Sequence, residues 1–223
     1  LFQSLLSRRI KGEPIAYILG EKSFWDFSLK INSATLIPRP ETELIIETIC
    51  NQFTNKPLNI LDLGTGSGAI AIALARERPE FNILATDIST QAIEVAKQNA
   101  HLNQVKNIHF RQSHWFKEIH ESFDIIVSNP PYIEENDPHL TQGDLRFEPG
   151  IALSSGLDGL DAIREIISKS KDRLRPNSLL LLEHGYQQAA PIKQIFDRDG
   201  RYNNIYCLQY LSGLDRVTVA STN

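Results

Sequence analysis

Two short polar loops hold the residues of this sequence that are best suited to chemistry. The first, Asp62 to Gly68, follows the apolar pair Ile60-Leu61 and has glycine at every second position from Gly64. The second, Asn129 to Tyr132, follows an apolar run and combines an amide side chain, two prolines and an aromatic ring. Because both loops follow predicted strands, we expect them at the same edge of one sheet, one holding a cofactor and the other an amide or amine.

The glycine loop is suited to a ligand that approaches the main chain closely. Gly64, Gly66 and Gly68 permit a tight turn and leave no side chain in the path of a ligand. The spacing is GxGxG rather than the GxGxxG of dinucleotide sites, so the loop alone leaves a purely structural turn open. Asp87, which ends the next predicted strand, adds a carboxylate that can accept hydrogen bonds from ribose hydroxyls.

Two of these candidate cofactor contacts have a structural alternative. Asp87 can also act as a stabilising negative charge at the start of a helix. Trp115 follows the third predicted strand, where its flat face suits an adenine ring, but an aromatic residue there can equally belong to the core. Both remain candidates in combination with the glycine loop.

The Asn-Pro-Pro-Tyr loop is suited to holding a planar NH2 group for methyl transfer. Its two prolines restrict backbone φ and keep the loop rigid. The Asn129 side-chain oxygen and the Pro130 carbonyl can both accept hydrogen bonds from one NH2 group, and Tyr132 can pack against its plane. A proline-rich turn without function is the alternative, which the accompanying glycine loop disfavours.

Composition narrows the function classes further. The chain has 223 residues and a net charge of −4, and its longest basic run is Arg8-Arg9, which argues against a dedicated duplex-binding protein. The histidines show no HxH or HxxxH spacing, so no metal is predicted. Cys50 and Cys207 form no CxxC pair, which indicates free thiols and a cytoplasmic location. No apolar stretch reaches about 20 residues, so no membrane partner is expected.

Alternating strands and helices are predicted to position the two loops. The predicted strands are 59–63, 83–87, 108–111, 123–128, 178–183, 205–210 and 216–220, and the predicted helices are 68–77, 90–102, 159–174 and 187–198. This alternation indicates an α/β domain with a mostly parallel sheet covered on both faces. Only 211–215 separates the last two strands, so they should pair antiparallel. The segment 129–156 has no clear period, as functional or mobile loops often do.

Residues 1–35 differ from the rest and are predicted to form a separate small unit before a domain at 36–223. Leu1, Leu5, Leu6 and Ile10 have the spacing of a helix end, and 24–31 is predicted as a strand of a hairpin. Pro38-Arg39-Pro40 is predicted to open a helix. The sequence contains no Met, and we expect upstream helices in a longer protein.

Several segments together resemble the HemK/PrmC family of protein-(glutamine-N5) methyltransferases, which act on class I peptide chain release factors. The resembling segments are 12–18, 36–43, 62–68, 128–132, 146–149 and 182–185, and the similarity covers essentially the whole chain. The stretch 37–43 matters most, because Asn-Pro-Pro-Tyr also occurs in adenine-N6 methyltransferases. The resemblance implies a class I S-adenosylmethionine (SAM)-dependent methyltransferase fold, a Rossmann-like seven-stranded sheet with its last strand antiparallel, preceded by the tail of a helical domain.

The resemblance also implies a reaction and roles for individual residues. The methyl group of SAM would pass to the amide N5 of the glutamine in a Gly-Gly-Gln motif, leaving S-adenosyl-L-homocysteine and supporting translation termination. The implied cofactor-binding residues are Gly64, Thr65, Gly66, Ser67, Gly68, Asp87, Trp115 and Asn129; the substrate-binding residues are Asn129, Pro130, Pro131 and Tyr132, of which Asn129, Pro130 and Tyr132 are also catalytic. His114 stands where the family often has Asp, so it is left out of the predicted site.

Three other functions are disfavoured by specific features. Nucleic-acid adenine-N6 methylation is disfavoured because the sequence shows no separate target-recognition domain and no basic patch. A non-catalytic SAM-binding module is disfavoured because such a module would not need the intact loop at 129–132, which this sequence has. A nicotinamide dehydrogenase is disfavoured by the GxGxG spacing and by the lack of a hydride-handling residue pair. We therefore expect a monomeric enzyme with a release factor as its protein partner and no direct contact with nucleic acid.

Overall fold

The computed structural model describes residues 2–54 and 56–223, so Leu1 of the predicted N-terminal stripe lies outside the described residues. The strands are β1 (Glu21–Phe24), β2 (Phe27–Lys30), β3 (Asn59–Leu63), β4 (Asn82–Asp87), β5 (Ile108–Gln112), β6 (Phe123–Ser128), β7 (Leu174–Glu183), β8 (Tyr202–Gln209) and β9 (Asp215–Thr222). The helices are α1 (Phe2–Ile10), α2 (Ile15–Leu19), α3 (Glu43–Gln52), α4 (Ala69–Glu77), α5 (Thr90–Leu102), α6 (Asp161–Ser170) and α7 (Ala189–Asp199). The strands and helices predicted after residue 58 are confirmed, with their ends shifted by up to four residues.

A seven-stranded sheet lies at the centre, in the order β5-β4-β3-β6-β7-β9-β8. Its pairs from β5 through β7 are parallel. The predicted antiparallel pairing of the last two strands is confirmed, and β9 also lies antiparallel to β7. The hairpin places β9 inside the sheet, where Val217, Val219 and Ala220 are completely buried, whereas all residues of the edge strand β8 after Tyr202 are half-buried or exposed.

Helices cover both faces of the sheet. Successive strand residues point to opposite faces, so Ile60 packs with α3 and α4 on one side while Leu61 packs with α6 and α7 on the other. This layering explains why the central strands are apolar without alternation. Among the described residues, no helix has both the length and the apolar character required to cross a membrane. Cys50 and Cys207 are free thiols, as predicted.

The N-terminal segment forms the predicted hairpin, but its turn falls inside the predicted strand 24–31. Trp25 adopts φ +53°, which reverses the chain between β1 and β2. Phe24 and Phe27 on either side of the turn stay on one face, with ring centroids 6.1 Å apart. The alternation that predicted one strand therefore came from two short antiparallel strands whose apolar residues share a face.

The hairpin packs on the sheet domain through α5. The Asn99 side chain accepts a hydrogen bond from the Lys30 backbone N–H at 2.7 Å and donates to the Ser67 carbonyl at 2.8 Å. Apolar residues of the hairpin join the same core as those of α3 and α4. The described part of 2–35 is thus continuous with the sheet domain, and the boundary at residue 35 stays a prediction.

Candidate active site

The two loops lie side by side, as predicted from the order of the strands. β3 and β6 are parallel neighbours, with Leu63 opposite Ser128 at their carboxyl ends. The Ser128 hydroxyl donates a hydrogen bond to the Leu63 carbonyl at 2.7 Å, which ties the two strand ends together. The glycine loop and the Asn-Pro-Pro-Tyr loop therefore leave the sheet from adjacent positions at the same edge.

A cavity of about 340 Å³ opens at this edge between the two loops. Most of the predicted site residues line it: Gly64, Thr65, Gly66, Ser67, Asp87, Trp115, Asn129 and Pro131. Its volume lies in the range of small-ligand and cofactor sites. His114, which was left out of the predicted site, also lines the cavity, together with Thr42 and the exposed Ile151.

The glycine loop is held by hydrogen bonds that its backbone N–H groups donate to the neighbouring strand β4. The Thr65 backbone N–H donates to the Thr86 carbonyl at 2.8 Å, and the Gly66 N–H donates to Asp87 Oδ2 at 2.9 Å. Gly64 adopts φ +72°, and a Cβ there would lie 3.7 Å from Cζ3 of the Trp115 ring. The loop thus brings its main chain directly to the cavity wall beneath the indole.

Asp87 has both of its carboxylate oxygens engaged by the main chain. Oδ2 accepts from Gly66, and Oδ1 accepts from the Ser89 N–H at 2.9 Å at the start of α5. Burial raises the pKa of Asp87 above its ordinary value, against the lowering effect of these backbone bonds. A carboxylate oxygen can accept two hydrogen bonds, so each oxygen of Asp87 retains capacity for a ligand in the cavity.

Trp115 sits in a backbone conformation that is rare for bulky residues. Its φ is +48°, in the left-handed region. The Ser113 hydroxyl donates to the Trp115 carbonyl at 2.8 Å and stabilises this turn. A strained backbone at a cavity wall is typical of ligand sites, and here it presents the indole toward Gly64.

Three predicted site residues do not line the cavity. Gly68 begins α4 at a close helix contact, where a Cβ would lie 3.0 Å from Ile72 Cδ1. Pro130 is buried, and Tyr132 packs against the apolar core formed with α6 and α7. Gly68 thus meets a packing requirement, and the predicted roles of Pro130 and Tyr132 toward a substrate stay predictions.

The Asn129 side chain is held by residues that the sequence analysis did not select. Its Nδ2 donates to Thr42 Oγ1 at 3.3 Å, and Thr42 Oγ1 in turn donates to Glu183 Oε2 at 2.6 Å. Thr42 and Glu183 are 4% and 1% exposed, so the hydrogen bond between them is shielded from water. The family resemblance of the segments 37–43 and 182–185 was the available signal for these two residues.

Glu183 is a buried acid at the carboxyl end of β7. Burial raises its pKa to about 7, while the hydrogen bond from Thr42, the charge of Arg216 and the nearby Tyr132 hydroxyl act in the opposite direction. Glu41 adds a further raising effect. Glu183 therefore changes between its protonated and ionised forms near neutral pH, and it does so directly behind the Asn-Pro-Pro-Tyr loop.

Asp62 is a second buried acid that sequence analysis placed in the loop without a role. Its Oδ2 accepts from the Thr65 hydroxyl at 2.6 Å, whereas Oδ1 is buried and has no hydrogen-bond partner among the described residues. Burial raises its pKa to about 7, with a further raising effect from Asp87. Asp62 therefore anchors the glycine loop at an electrostatic cost.

One wall of the cavity is anchored by a buried ion pair. The Glu148 carboxylate is completely buried, accepts from the Ile37 backbone N–H at 2.9 Å and pairs with Arg39. The segment 129–156 is thereby connected to the chain just before α3. This wall includes Pro149 and Pro38, so the ion pair positions residues that line the cavity.

Within the part of the chain that the structure describes, no group of three His, Cys, Asp or Glu side chains converges in a manner suited to a metal ion. The cavity instead combines main-chain groups with the carboxylates of Asp87, Asp161 and Glu165, the Asn129 amide, the His114 imidazole and the Trp115 indole. This set of groups is suited to an organic ligand with hydroxyl groups and a flat ring.

Comparison with known proteins relates this chain to methyltransferases, both by family model and by individual relatives. Residues 40–144 match the family model described as methyltransferase small domain. The release factor glutamine methyltransferase of Pasteurella multocida is 48% identical over 233 residues, covering 96% of this chain and 78% of that protein. That of Aliivibrio fischeri is 46% identical over 220 residues, covering 98% of this chain and 77% of that protein.

A solved structure confirms the fold class. The methyltransferase from Pyrococcus furiosus superimposes with a TM-score of 0.66 at 17% identity, covering 98% of each chain. At that identity the similarity concerns the fold alone. Together with the observed strand order, it confirms the predicted class I methyltransferase architecture.

Proposed function

Because this chain belongs to the family of release factor glutamine methyltransferases, we propose that it methylates the side-chain amide N5 of the glutamine in the Gly-Gly-Gln motif of class I release factors. The methyl donor is SAM. Neither adenine-N6 methylation nor a non-catalytic module is favoured by these relatives. A monomeric state, a cytoplasmic location and the absence of a nucleic-acid partner remain predictions.

The residues around the cavity fit SAM. Asp87 can accept from ribose hydroxyls, and the Trp115 indole offers a flat apolar face for adenine. Gly64 and Gly66 line the same cavity, and because neither residue has a side chain, a ligand can approach the main chain there. SAM, when bound, supplies a methyl group activated by the adjacent sulfonium.

The substrate amide would be held at the Asn129 end of the cavity. Asn129 is half-buried, and among residues 2–54 and 56–223 no hydrogen bond is made to its Oδ1 or to the Pro130 carbonyl. Two acceptors on adjacent residues of a rigid loop match the two N–H donors of a glutamine amide. Asn129 lines the cofactor cavity and Pro130 follows it in the buried part of the same loop, and this pair of unengaged acceptors is the observation that carries the proposal.

These acceptors assist the reaction by orientation and by charge. The amide nitrogen of glutamine is a weak nucleophile because its lone pair is delocalised, so alignment toward the methyl group matters more than a strong base. Holding a nucleophile in position can contribute roughly 7–11 kcal/mol to lowering the barrier. As positive charge develops on the nitrogen, both oxygens stabilise the N–H groups that carry it.

The loop is braced from behind so that these acceptors stay in place. Gln188 Nε2 donates to the Tyr132 carbonyl at 2.9 Å, and Gln188 Oε1 accepts from the Gly185 N–H at 2.9 Å. The Ile133 N–H donates to the Leu153 carbonyl at 2.9 Å, which ties the loop to the cavity wall. Such rigidity preserves the acceptor geometry without reorganisation during the reaction.

A direct assay tests the proposal. The purified chain is incubated with isotopically labelled SAM and a purified class I release factor, and the Gly-Gly-Gln peptide is analysed by mass spectrometry. We expect one added methyl group on the glutamine side chain. A release factor whose glutamine is replaced by alanine is the control, and labelling of that control or of nucleic acid instead would contradict the proposal.

A further inference from the structure

The Thr42 hydroxyl is used in an unusual way. Thr42 ends a short 3-10 turn, Pro40–Thr42, that leads directly into α3, and its backbone is helical rather than in the extended conformation from which threonine caps a helix. Its side chain makes no such capping bond here, and the hydroxyl instead contacts Glu183 and Asn129. Both partners are remote in sequence, and Asn129 belongs to the substrate loop.

The chemistry of these three groups gives the hydrogen bonds a direction. An ionised Glu183 only accepts, so the single hydroxyl proton of Thr42 must point to it. The Thr42 oxygen then faces Asn129 as an acceptor, and the side-chain amide of Asn129 must turn its NH2 toward Thr42. Asn129 Oδ1 is thereby left pointing away from Thr42.

We propose that Thr42 is a positioning residue that selects the amide orientation of Asn129, so that Oδ1 rather than NH2 is presented to the substrate amide. The inference rests on the proposed function, because it assigns Asn129 Oδ1 the role of acceptor. Without Thr42, the two amide orientations of Asn129 become closer in energy. Only one of them can accept from a glutamine NH2 group.

The charge state of Glu183 determines the direction of the hydrogen bonds that run from Asn129 through Thr42 to Glu183. The groups that face it are the hydroxyls of Thr42 and Tyr132 and the charged side chains of Arg216 and Glu41. When Glu183 is protonated it can donate to Thr42, and the preference imposed on Asn129 is lost. Assays above pH 8 therefore isolate the contribution of Thr42.

The test compares substitutions at two threonines near the same helix. Thr42→Val keeps the shape and removes the hydroxyl, and Thr42→Ser restores it. Thr48→Val is the matched control, because the Thr48 hydroxyl donates to the Leu44 carbonyl at 2.6 Å and does not contact Asn129. Single-turnover methyl transfer is measured with SAM saturating, alongside calorimetric SAM affinity and the melting temperature.

We expect Thr42→Val to slow the transfer step by about tenfold, the size of one lost hydrogen bond in a transition state. SAM affinity should stay within about twofold, Thr42→Ser should recover most of the rate, and Thr48→Val should retain it. Combined with Asn129→Ala, Thr42→Val should cause no further loss, since there is no amide left to orient. Thr42→Ala replaces Thr42→Val in the same series if the valine variant fails to fold.

Three results would overturn the inference, and they can be told apart. If Asn129→Ala is slow but Thr42→Val slows it further by the full factor seen alone, Thr42 acts independently of Asn129 and this inference alone fails. If Asn129→Ala transfers methyl groups at the wild-type rate, the proposed function of Asn129 fails and the inference fails with it. A wild-type rate for both Thr42 variants also overturns it.

Discussion

The Asp87 carboxylate accepts the Gly66 backbone N–H at 2.9 Å and thereby connects the end of β4 to the glycine loop that follows β3. Its other oxygen accepts from Ser89. Asp87 therefore has a structural role at the loop in addition to its proposed contact with ribose. The alternative in which it is solely an N-terminal charge of a helix does not account for the Gly66 bond.

Asp87→Ala should weaken SAM binding by about 1–3 kcal/mol, because hydrogen bonds to a charged acceptor are lost. The fold should persist, since the change lies at a strand end. Isothermal titration calorimetry measures the affinity. Asp87→Asn is the control, because it keeps one acceptor oxygen and should bind with intermediate affinity. Unchanged affinity in Asp87→Ala would remove Asp87 from the cofactor site.

Asn129→Ala should reduce the single-turnover rate of methyl transfer by roughly 10²–10³, the typical effect of removing one pre-oriented polar group. The melting temperature should change little, because the side chain is half-buried and makes one long hydrogen bond. A rate close to wild type would contradict the mechanism.

Asn129→Asp should be as slow as Asn129→Ala. Aspartate keeps an acceptor oxygen but cannot donate to Thr42, and it places a second negative charge near Glu183. The same single-turnover assay measures the rate. If the Asn129→Asp variant retained most of its activity, the donor side of Asn129 would be dispensable.

Arg39→Met should destabilise the protein by about 3–5 kcal/mol, because it leaves the buried carboxylate of Glu148 without its charged partner. Lys193→Met is the matched control. It breaks the ion pair with Asp197 on α7, where both side chains are more than half exposed, and should cost at most about 0.5 kcal/mol. Urea denaturation gives both values, and equal effects would contradict the importance of the buried pair.

The pH dependence of stability should report on Asp62. Burial raises its pKa in the folded state to about 7, above the value near 4 expected for an unfolded chain. The folded state therefore holds this proton more tightly, and the stabilising contribution is present below about pH 4 and lost as the pH rises to about 7. The loss amounts to at most about 4 kcal/mol.

Asp62→Asn removes this titration. Between pH 5 and pH 8, the free energy of unfolding of the cofactor-free variant should fall less steeply than that of the wild type, whatever the absolute stability of the variant. Urea denaturation at several pH values measures the slope. Identical slopes for the two proteins would show that Asp62 is already ionised at pH 5.

Much of the architecture could be predicted because it depends on residues that are close in the chain. Apolar runs marked the central strands, and the alternation of strands with helical segments marked α4 to α7. The order of elements then placed the glycine loop beside Asn129, since the carboxyl ends of parallel strands share one edge. The hairpin turn at Trp25 was missed because its two strands continue one alternating pattern.

The sequence by itself thus determined the sheet, the two loops and eight of the residues that line the cavity. The tertiary structure alone decided which side chains orient those residues. Thr42 and Glu183 are 141 positions apart, and Ile37 and Glu148 are 111 apart. Local periodicity carries no information on such pairs, because a hydrogen bond between remote residues depends on distances that arise only when the whole chain is packed.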